Sequence, residues 1–197
     1  MILASASAAR RRLLEEAGVA VAVEAAAAAV DETAVKLAVR AETNNPARAA
    51  EALAELKAMR VSARHPGAMV LGCDQMLDCD GRWFDKPSDL AEARAHLLAL
   101  KGRRHRLTSA VAAVRDGRLL WHHTEVATLT MRNFSDAFLD GYLAAAGEAA
   151  LGSVGAYQLE GLGAQLFVMV EGDFFTVLGL PLLAVLDFLR ENGELPP

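Results

Sequence analysis

Two Asp-Gly pairs, Asp80-Gly81 and Asp116-Gly117, each interrupt one apolar run and precede another. An Asp-Gly pair readily takes the two positive φ angles of a type I′ turn, so residues 76–84 and 106–131 each read as a β-hairpin. Elsewhere the pattern is strand, loop and helix. MILAS reads as a short buried strand, and AARRRLLEEAG as a helix with Leu13, Leu14 and Ala17 on one face and Gly18 as its stop. VAVAVEAAAAAVDE alternates at first and then runs through alanines of high helix propensity; the alternation favours an extended segment. Asn45 as N-cap with Pro46 at the first helical position opens a helix reaching about Arg64, with Ala50, Leu53 and Leu56 on its apolar face. AMVLGCD is a buried strand. Ser88 caps a helix over DLAEARAHLLAL, Ser135 one over DAFLDGYLAAA, and Pro181 begins the last helix; a strand lies within AYQLEGLGAQLFVMVEGD. Hairpins interleaved with strand-helix units specify a mixed α/β fold, not a repeat array or a bundle.

The 197 residues, 53% of them hydrophobic, suffice for one domain or two small lobes. A net charge of −5 argues against a nucleic-acid polymer as partner, because such binders need a basic face to displace counterions. No apolar run approaches the length of a membrane span, and the N-terminus lacks the basic and apolar regions of an export signal. Cys73 and Cys79 match neither a CxxC motif nor a disulfide framework, so the expected setting is reducing and cytoplasmic. No histidine or cysteine spacing fits a zinc site: His122 and His123 alternate across a strand, His65 precedes a proline and His105 lies among arginines. Tyr157, Trp83 and Trp121 fall in strand patterns, where core packing is the expectation rather than stacking on a base.

Chemistry gathers elsewhere. Ser5, Ser7 and Arg10 sit where a strand passes through a tight loop into a helix N-terminus, a place that offers unpaired N–H groups to an anion. Serines that merely cap the helix would give the same pattern. Asp31-Glu32 suits a divalent cation and equally suits a surface turn. In LGCDQMLDCDGRWFDKP a buried strand runs straight into Asp74, a carboxylate that needs a metal, a cation or a ligand to offset its desolvation. Lys57 and Lys86 are the cations expected near it.

The segments LASASAARRRLLEEAG, VDET, LAELKA, LGCDQML with DGRWFDKP, HRLTSAV, GAYQLEGLGAQLF and EGDFFTVLGLPL, in this order, resemble the Maf family of nucleoside triphosphate pyrophosphatases. The resemblance covers nearly the whole chain, residues 1–197 as one Maf-like domain. It implies an elongated, mixed-sheet α/β fold of the inosine triphosphate pyrophosphatase type, with two lobes around a central cleft. It also implies a cytoplasmic enzyme, often a homodimer, that uses Mg²⁺ or Mn²⁺ to cleave a nucleoside triphosphate into NMP and pyrophosphate. Carried over by position, Asp74 is the catalytic acid-base residue and, with Glu32, the metal ligand. Ser5, Ser7, Arg10, Lys57, Lys86 and Gln75 bind nucleotide and phosphate.

The chain departs from the family's Ser-x-Ser-Pro-Arg-Arg loop, having Ala8 and Ala9 in place of the proline and the first arginine. Together with Gln75, the specificity positions implied by the resemblance are Ala9 and Glu160. Glu160 stands where the dTTP- and UTP-cleaving branch has glutamine and resembles the branch acting on 7-methyl-GTP. An acceptor-only carboxylate suits the N1–H and amino group of guanine, so a purine-side preference is expected. The competing expectation is a nucleotide-binding regulatory module linked to septum formation, with weak or no catalysis.

Overall fold

The computed structural model describes residues 1–26 and 31–196. Seven strands and seven α-helices are found among them. The strands are β1 (Ile2–Ala4), β2 (Ala22–Val23), β3 (Val70–Cys79), β4 (Arg82–Phe84), β5 (Arg104–Arg115), β6 (Arg118–Met131) and β7 (Phe167–Glu171). The helices are α1 (Ala8–Glu16), α2 (Glu32–Glu42), α3 (Pro46–Ser62), α4 (Leu90–Leu100), α5 (Asp136–Ala146), α6 (Phe174–Val177) and α7 (Leu182–Glu191). The sheet is mixed: β1 runs parallel to β2 and to β3, β4 is antiparallel to β3, and β7 antiparallel to β6. Both Asp-Gly turns form, with φ of 50° and 80° at residues 80 and 81 and 52° and 70° at 116 and 117. No helix among the described residues is long and apolar enough to cross a membrane.

The chain divides into two compact units: Met1–Gln75, Thr108–Glu125 and Asp173–Pro197 make the first, and Met76–Leu107 and Val126–Gly172 the second. In the first unit the strands lie in the order β2-β1-β3-β5-β6. Alternation along β1 and β3 sends Leu3, Leu71 and Cys73 to one face, where they join Leu13 and Leu14 of α1 and Val185, Phe188 and Leu189 of α7. It sends Ala4 and Val70 to the other face, against Leu53, Ala58 and Val61 of α3. Gly72 lies between these layers with no room for a side chain: a Cβ there would meet the Ala54 carbonyl oxygen at 2.0 Å and the Ala58 Cβ at 2.9 Å. Backbone therefore packs on backbone where α3 crosses β3.

The second unit contains the end of β3, the short β4, the start of β5, the end of β6, and β7. Here α4 packs against α5 and against two 3₁₀ segments, Gly147–Gly152 and Val154–Ala156. Trp121 in the first unit stacks on Phe188 at 4.7 Å, and Tyr157 in the second is buried.

Several boundaries differ from those expected, each for a local reason. The cap of α4 is Asp89, whose carboxylate accepts from the Glu92 N–H at 2.7 Å; Ser88 instead donates its N–H and hydroxyl to the Glu92 carboxylate. Ala17 is the exposed C-cap of α1 rather than part of its buried face. The third helix stops at Ser62, short of Arg64. Of the extended segment expected over 19–32, only Ala22–Val23 is strand, and residues 27–30 lie outside the described residues. Asp31 is no surface turn: it caps α2, a helix the alternation reading did not anticipate, by accepting from the Ala34 N–H at 2.9 Å.

Candidate active site

In the first unit β1 ends at Ala4, and the chain turns through Ser5 into α1, whose N-cap Ser7 accepts from the Arg10 N–H at 3.4 Å. The Ser5 hydroxyl oxygen accepts from the Ser7 N–H at 3.3 Å and from Arg10 Nη1 at 3.0 Å. Arg10 is buried, and its guanidinium reaches across the sheet end: Nη1 also donates to the Cys73 carbonyl at 3.1 Å, and Nε to the Gly179 carbonyl at 2.7 Å. All of these acceptors are neutral. Arg10 forms no ion pair within contact distance among the described residues, so a buried positive charge stands at a helix N-terminus, bonded to neutral groups and felt by the Asp74 carboxylate only through space.

The bond to the Cys73 carbonyl ties this loop to the residue that follows, Asp74. Because α3 sits directly on Gly72, Lys57 is brought against the next residue on the same face of β3, and its Nζ donates to Asp74 Oδ1 at 2.6 Å. The same ammonium contacts Glu32 at the start of α2, at 2.7 Å. One cation thus bridges two carboxylates. Burial alone would lower the Lys57 pKa, and Asp74 and Glu32 outweigh it, leaving it raised. For Asp74 burial dominates: it pushes the carboxyl up, while Lys57 and Arg10 pull it down less strongly. A carboxylate held above the ordinary aspartate range is a stronger base than one in water.

Asp74 Oδ2 is buried and accepts no hydrogen bond among the described residues. An unpaired buried carboxylate oxygen, with Glu32 drawn close by the shared lysine, is a hard-oxygen donor set that fits Mg²⁺ or Mn²⁺, ions that keep substrate phosphate and water as further ligands. No group of three or more His, Cys, Asp or Glu side chains arranged to hold a metal occurs among the described residues.

Gln75 follows Asp74 but projects from the opposite face of β3. Its amide Nε2 donates to Ser109 Oγ at 3.0 Å and lies 3.1 and 3.0 Å from the carbonyls of Thr176 and Val177. Ser109 Oγ in turn donates to the Thr176 carbonyl, and Thr176 Oγ1 to Glu125. The structure therefore brings Ser5, Ser7, Arg10, Lys57, Asp74 and Glu32 together and sets the Gln75 amide on the far side of the strand, securing α6. Strand alternation alone carried that signal. Ala9 is half-buried on α1, and Lys86 and Glu160 belong to the second unit, both exposed. Gly72, Ser109, Thr176 and Gly179 were not singled out in the sequence. Only Gly72, a glycine inside an apolar strand pattern, left a trace there.

A family model described as Maf-like protein matches residues 1–192. The chain belongs to the Maf family. A nucleoside triphosphate pyrophosphatase of Paramagnetospirillum magneticum is 72% identical over 196 residues, covering all of both chains. One of the same name from Granulibacter bethesdensis is 54% identical over 195 residues, 99% of this chain and 98% of its own. A 7-methyl-GTP pyrophosphatase of Rhizobium meliloti is 50% identical over 195 residues, 99% of this chain and 97% of its own. In this Maf chain the mixed α/β scaffold puts the serine loop and the Asp74 cluster in one unit.

Proposed function

We propose that this Maf protein is a nucleoside triphosphate pyrophosphatase, cleaving the bond between the α- and β-phosphates to give NMP and pyrophosphate. The observation that carries the reading is the hydrogen bond from Arg10 to the carbonyl of Cys73, which joins an anion-seeking helix N-terminus to a buried, raised carboxylate. The names borne by relatives of matching length support it.

In this reading Ser5, Ser7, the first N–H groups of α1 and Arg10 take up negative charge from the triphosphate. Lys57 holds a further phosphoryl oxygen and restrains Asp74 through Oδ1. Asp74 Oδ2, the oxygen with no hydrogen-bond partner among the described residues, accepts the proton of a water that attacks the α-phosphorus. Pyrophosphate leaves with the charge that the same cations offset. Asp74 and Glu32 would hold a divalent cation, which supplies charge neutralisation at the phosphoryl oxygens when bound. Lys86 adds a positive charge for the phosphates, and Gln75 acts by tying α6 to the middle of β3. Glu160 biases selection toward guanine bases, 7-methyl-GTP included, since a carboxylate accepts from both guanine donors and complements a cationic base. Ala9, lacking the guanidinium of the pyrimidine branch, points the same way. The two free, buried cysteines accord with a cytoplasmic enzyme.

A nucleotide-binding regulatory module linked to septum formation would keep binding without turnover; the retained Asp74–Lys57 pair weighs against it. Pyrophosphate release across a panel of canonical and 7-methylated nucleotides, with Mg²⁺, with Mn²⁺ and with chelator, tests the reading. Release that depends on metal and is fastest for guanine nucleotides is expected. Nucleotide binding without release would overturn the enzyme, and dTTP or UTP as the best substrate would overturn the base preference.

A further inference from the structure

Residues 153–163 of the second unit are fixed at more points than a connection between a helix and a strand requires. Gly155 and Ala156 are consecutive left-handed residues, with φ of 78° and 63°. A Cβ at 155 would come within 2.6 Å of Leu77 and 2.7 Å of the Tyr157 ring. Ala156 carries a Cβ in that conformation, at a cost of about 1–2 kcal/mol for an L-residue. Its carbonyl is taken by a buried hydroxyl, since Tyr142 Oη donates to it at 3.0 Å. Next along the chain, Tyr157 Oη lies 2.8 Å from His105 Nε2, and the Tyr157 ring meets Phe167 edge-on at 4.8 Å. Ser153 Oγ donates to the Tyr157 carbonyl. At the far end a Cβ on Gly163 would lie 2.4 Å from the Gln158 carbonyl oxygen, so the loop closes backbone on backbone.

Between these clamps residues 158 and 160–162 are exposed. The Gln158 amide turns toward the preceding 3₁₀ segment, Nε2 lying 3.4 Å from the Ala149 carbonyl, which leaves Glu160 as the carboxylate carried at the tip. Apolar side chains of matching shape would hold a core as well as these buried hydroxyls and imidazole do. What directional bonds add is a fixed orientation of the backbone they grip, and a strained residue held by such bonds marks a segment whose shape is used. Burial keeps His105 uncharged, its pKa lowered to about 4, and keeps the Tyr157 hydroxyl protonated, so the pair persists unchanged at neutral pH.

We propose that Tyr142 and His105 are positioning residues for base selectivity: by gripping Ala156 and Tyr157 they hold the 158–162 tip, and with it Glu160, in the orientation that distinguishes guanine from uracil. The inference rests on the reading of Glu160 given under Proposed function. The test is kcat/KM for 7-methyl-GTP, GTP and UTP in the wild type, Tyr142→Phe, His105→Leu, His105→Gln, Glu160→Gln and the Tyr142→Phe/Glu160→Gln double variant, each checked for folding by thermal melting. Tyr142→Phe is expected to lower the guanine-to-uracil ratio about tenfold, as a displaced recognition group does, and to leave the ratio unchanged in the Glu160→Gln background. His105→Leu should act likewise, and His105→Gln, which keeps a hydrogen-bonding group for Tyr157, should restore much of the ratio. A Tyr142→Phe enzyme with the wild-type ratio, or one slowed equally on all three substrates in both backgrounds, would overturn the proposal while leaving the Glu160 reading intact. If Tyr142→Phe does not fold, the two His105 variants decide by the same ratios. A wild type that cleaves none of the three, or a Glu160→Gln variant with an unaltered ratio, would instead show that the underlying reading is wrong, and the proposal falls with it.

Discussion

Asp74 combines a burial that opposes its charge with a lysine that sustains it, and the two substitutions that break the pair should separate activity from stability. In Asp74→Asn the Lys57 ammonium keeps Glu32, so the fold should melt close to the wild-type temperature while pyrophosphate release falls by about 10²–10⁴-fold, the usual weight of a general base. In Lys57→Met the Asp74 carboxylate stays buried without its ion-pair partner, and about 3 kcal/mol of stability should be lost along with activity. Urea titrations of both variants beside pyrophosphate assays check the contrast; equal destabilisation would mean that Glu32 alone does not hold Lys57 once the Asp74 charge is gone.

At the scale of elements, the site depends on how closely α3 can approach β3, and Gly72 sets that distance. A Cβ directed at the Ala54 carbonyl oxygen cannot be absorbed by a side-chain rotation; the helix must withdraw, carrying Lys57 away from Asp74. Gly72→Ala is expected to cost about 3 kcal/mol, the upper range for overpacking, and to abolish activity. Gly117→Ala meets open space and pays only for its positive φ, about 1–2 kcal/mol, with activity retained. Thermal melts and turnover of the two variants make the comparison, and an active Gly72→Ala enzyme would refute the distance argument. Elements of this kind were unequally legible in the sequence. Both Asp-Gly hairpins and the Asn45-Pro46 start of α3 were plain because each depends on neighbouring residues only. By contrast α2 was passed over: the alternation just before it drew the reading toward an extended segment, and although Val35 packs partly buried against the core, no residue of the helix is fully buried. The serine loop and Asp74 could be named as candidates from local pattern and resemblance. That Arg10 grips two carbonyls, and that Gln75 faces α6, depends on tertiary contacts and strand parity that motif matching does not read.

For the whole molecule, the buried titratable groups define the pH range over which the fold is stable. His105 is held neutral with a pKa lowered to about 4 from 6.5, so between those values the unfolded chain binds a proton that the folded chain does not. Stability therefore falls as pH drops through that window, by up to about 3 kcal/mol at its lower end. Asp74 works in the other direction: with its carboxyl raised, the folded state holds a proton longer than the unfolded chain does, which softens the acid loss. On the alkaline side the Cys73 thiol, raised by burial from 9.0 to about 11, and the raised Lys57 both keep protons that the unfolded chain releases. Stability should decline as pH rises above about 9, with the Cys73 thiol contributing up to about 3 kcal/mol. Burial lowers the His96 pKa as well, so His96 shares this limb, and a variant isolates the part that belongs to His105. Urea unfolding of the wild type at pH 7 and pH 4.5 should show the loss, and His105→Gln, which cannot be protonated, should show much less of it even where its stability at pH 7 is lower. An equal loss in both proteins would mean that the acid sensitivity resides in His96 and the carboxylates and that His105 titrates normally in the folded state.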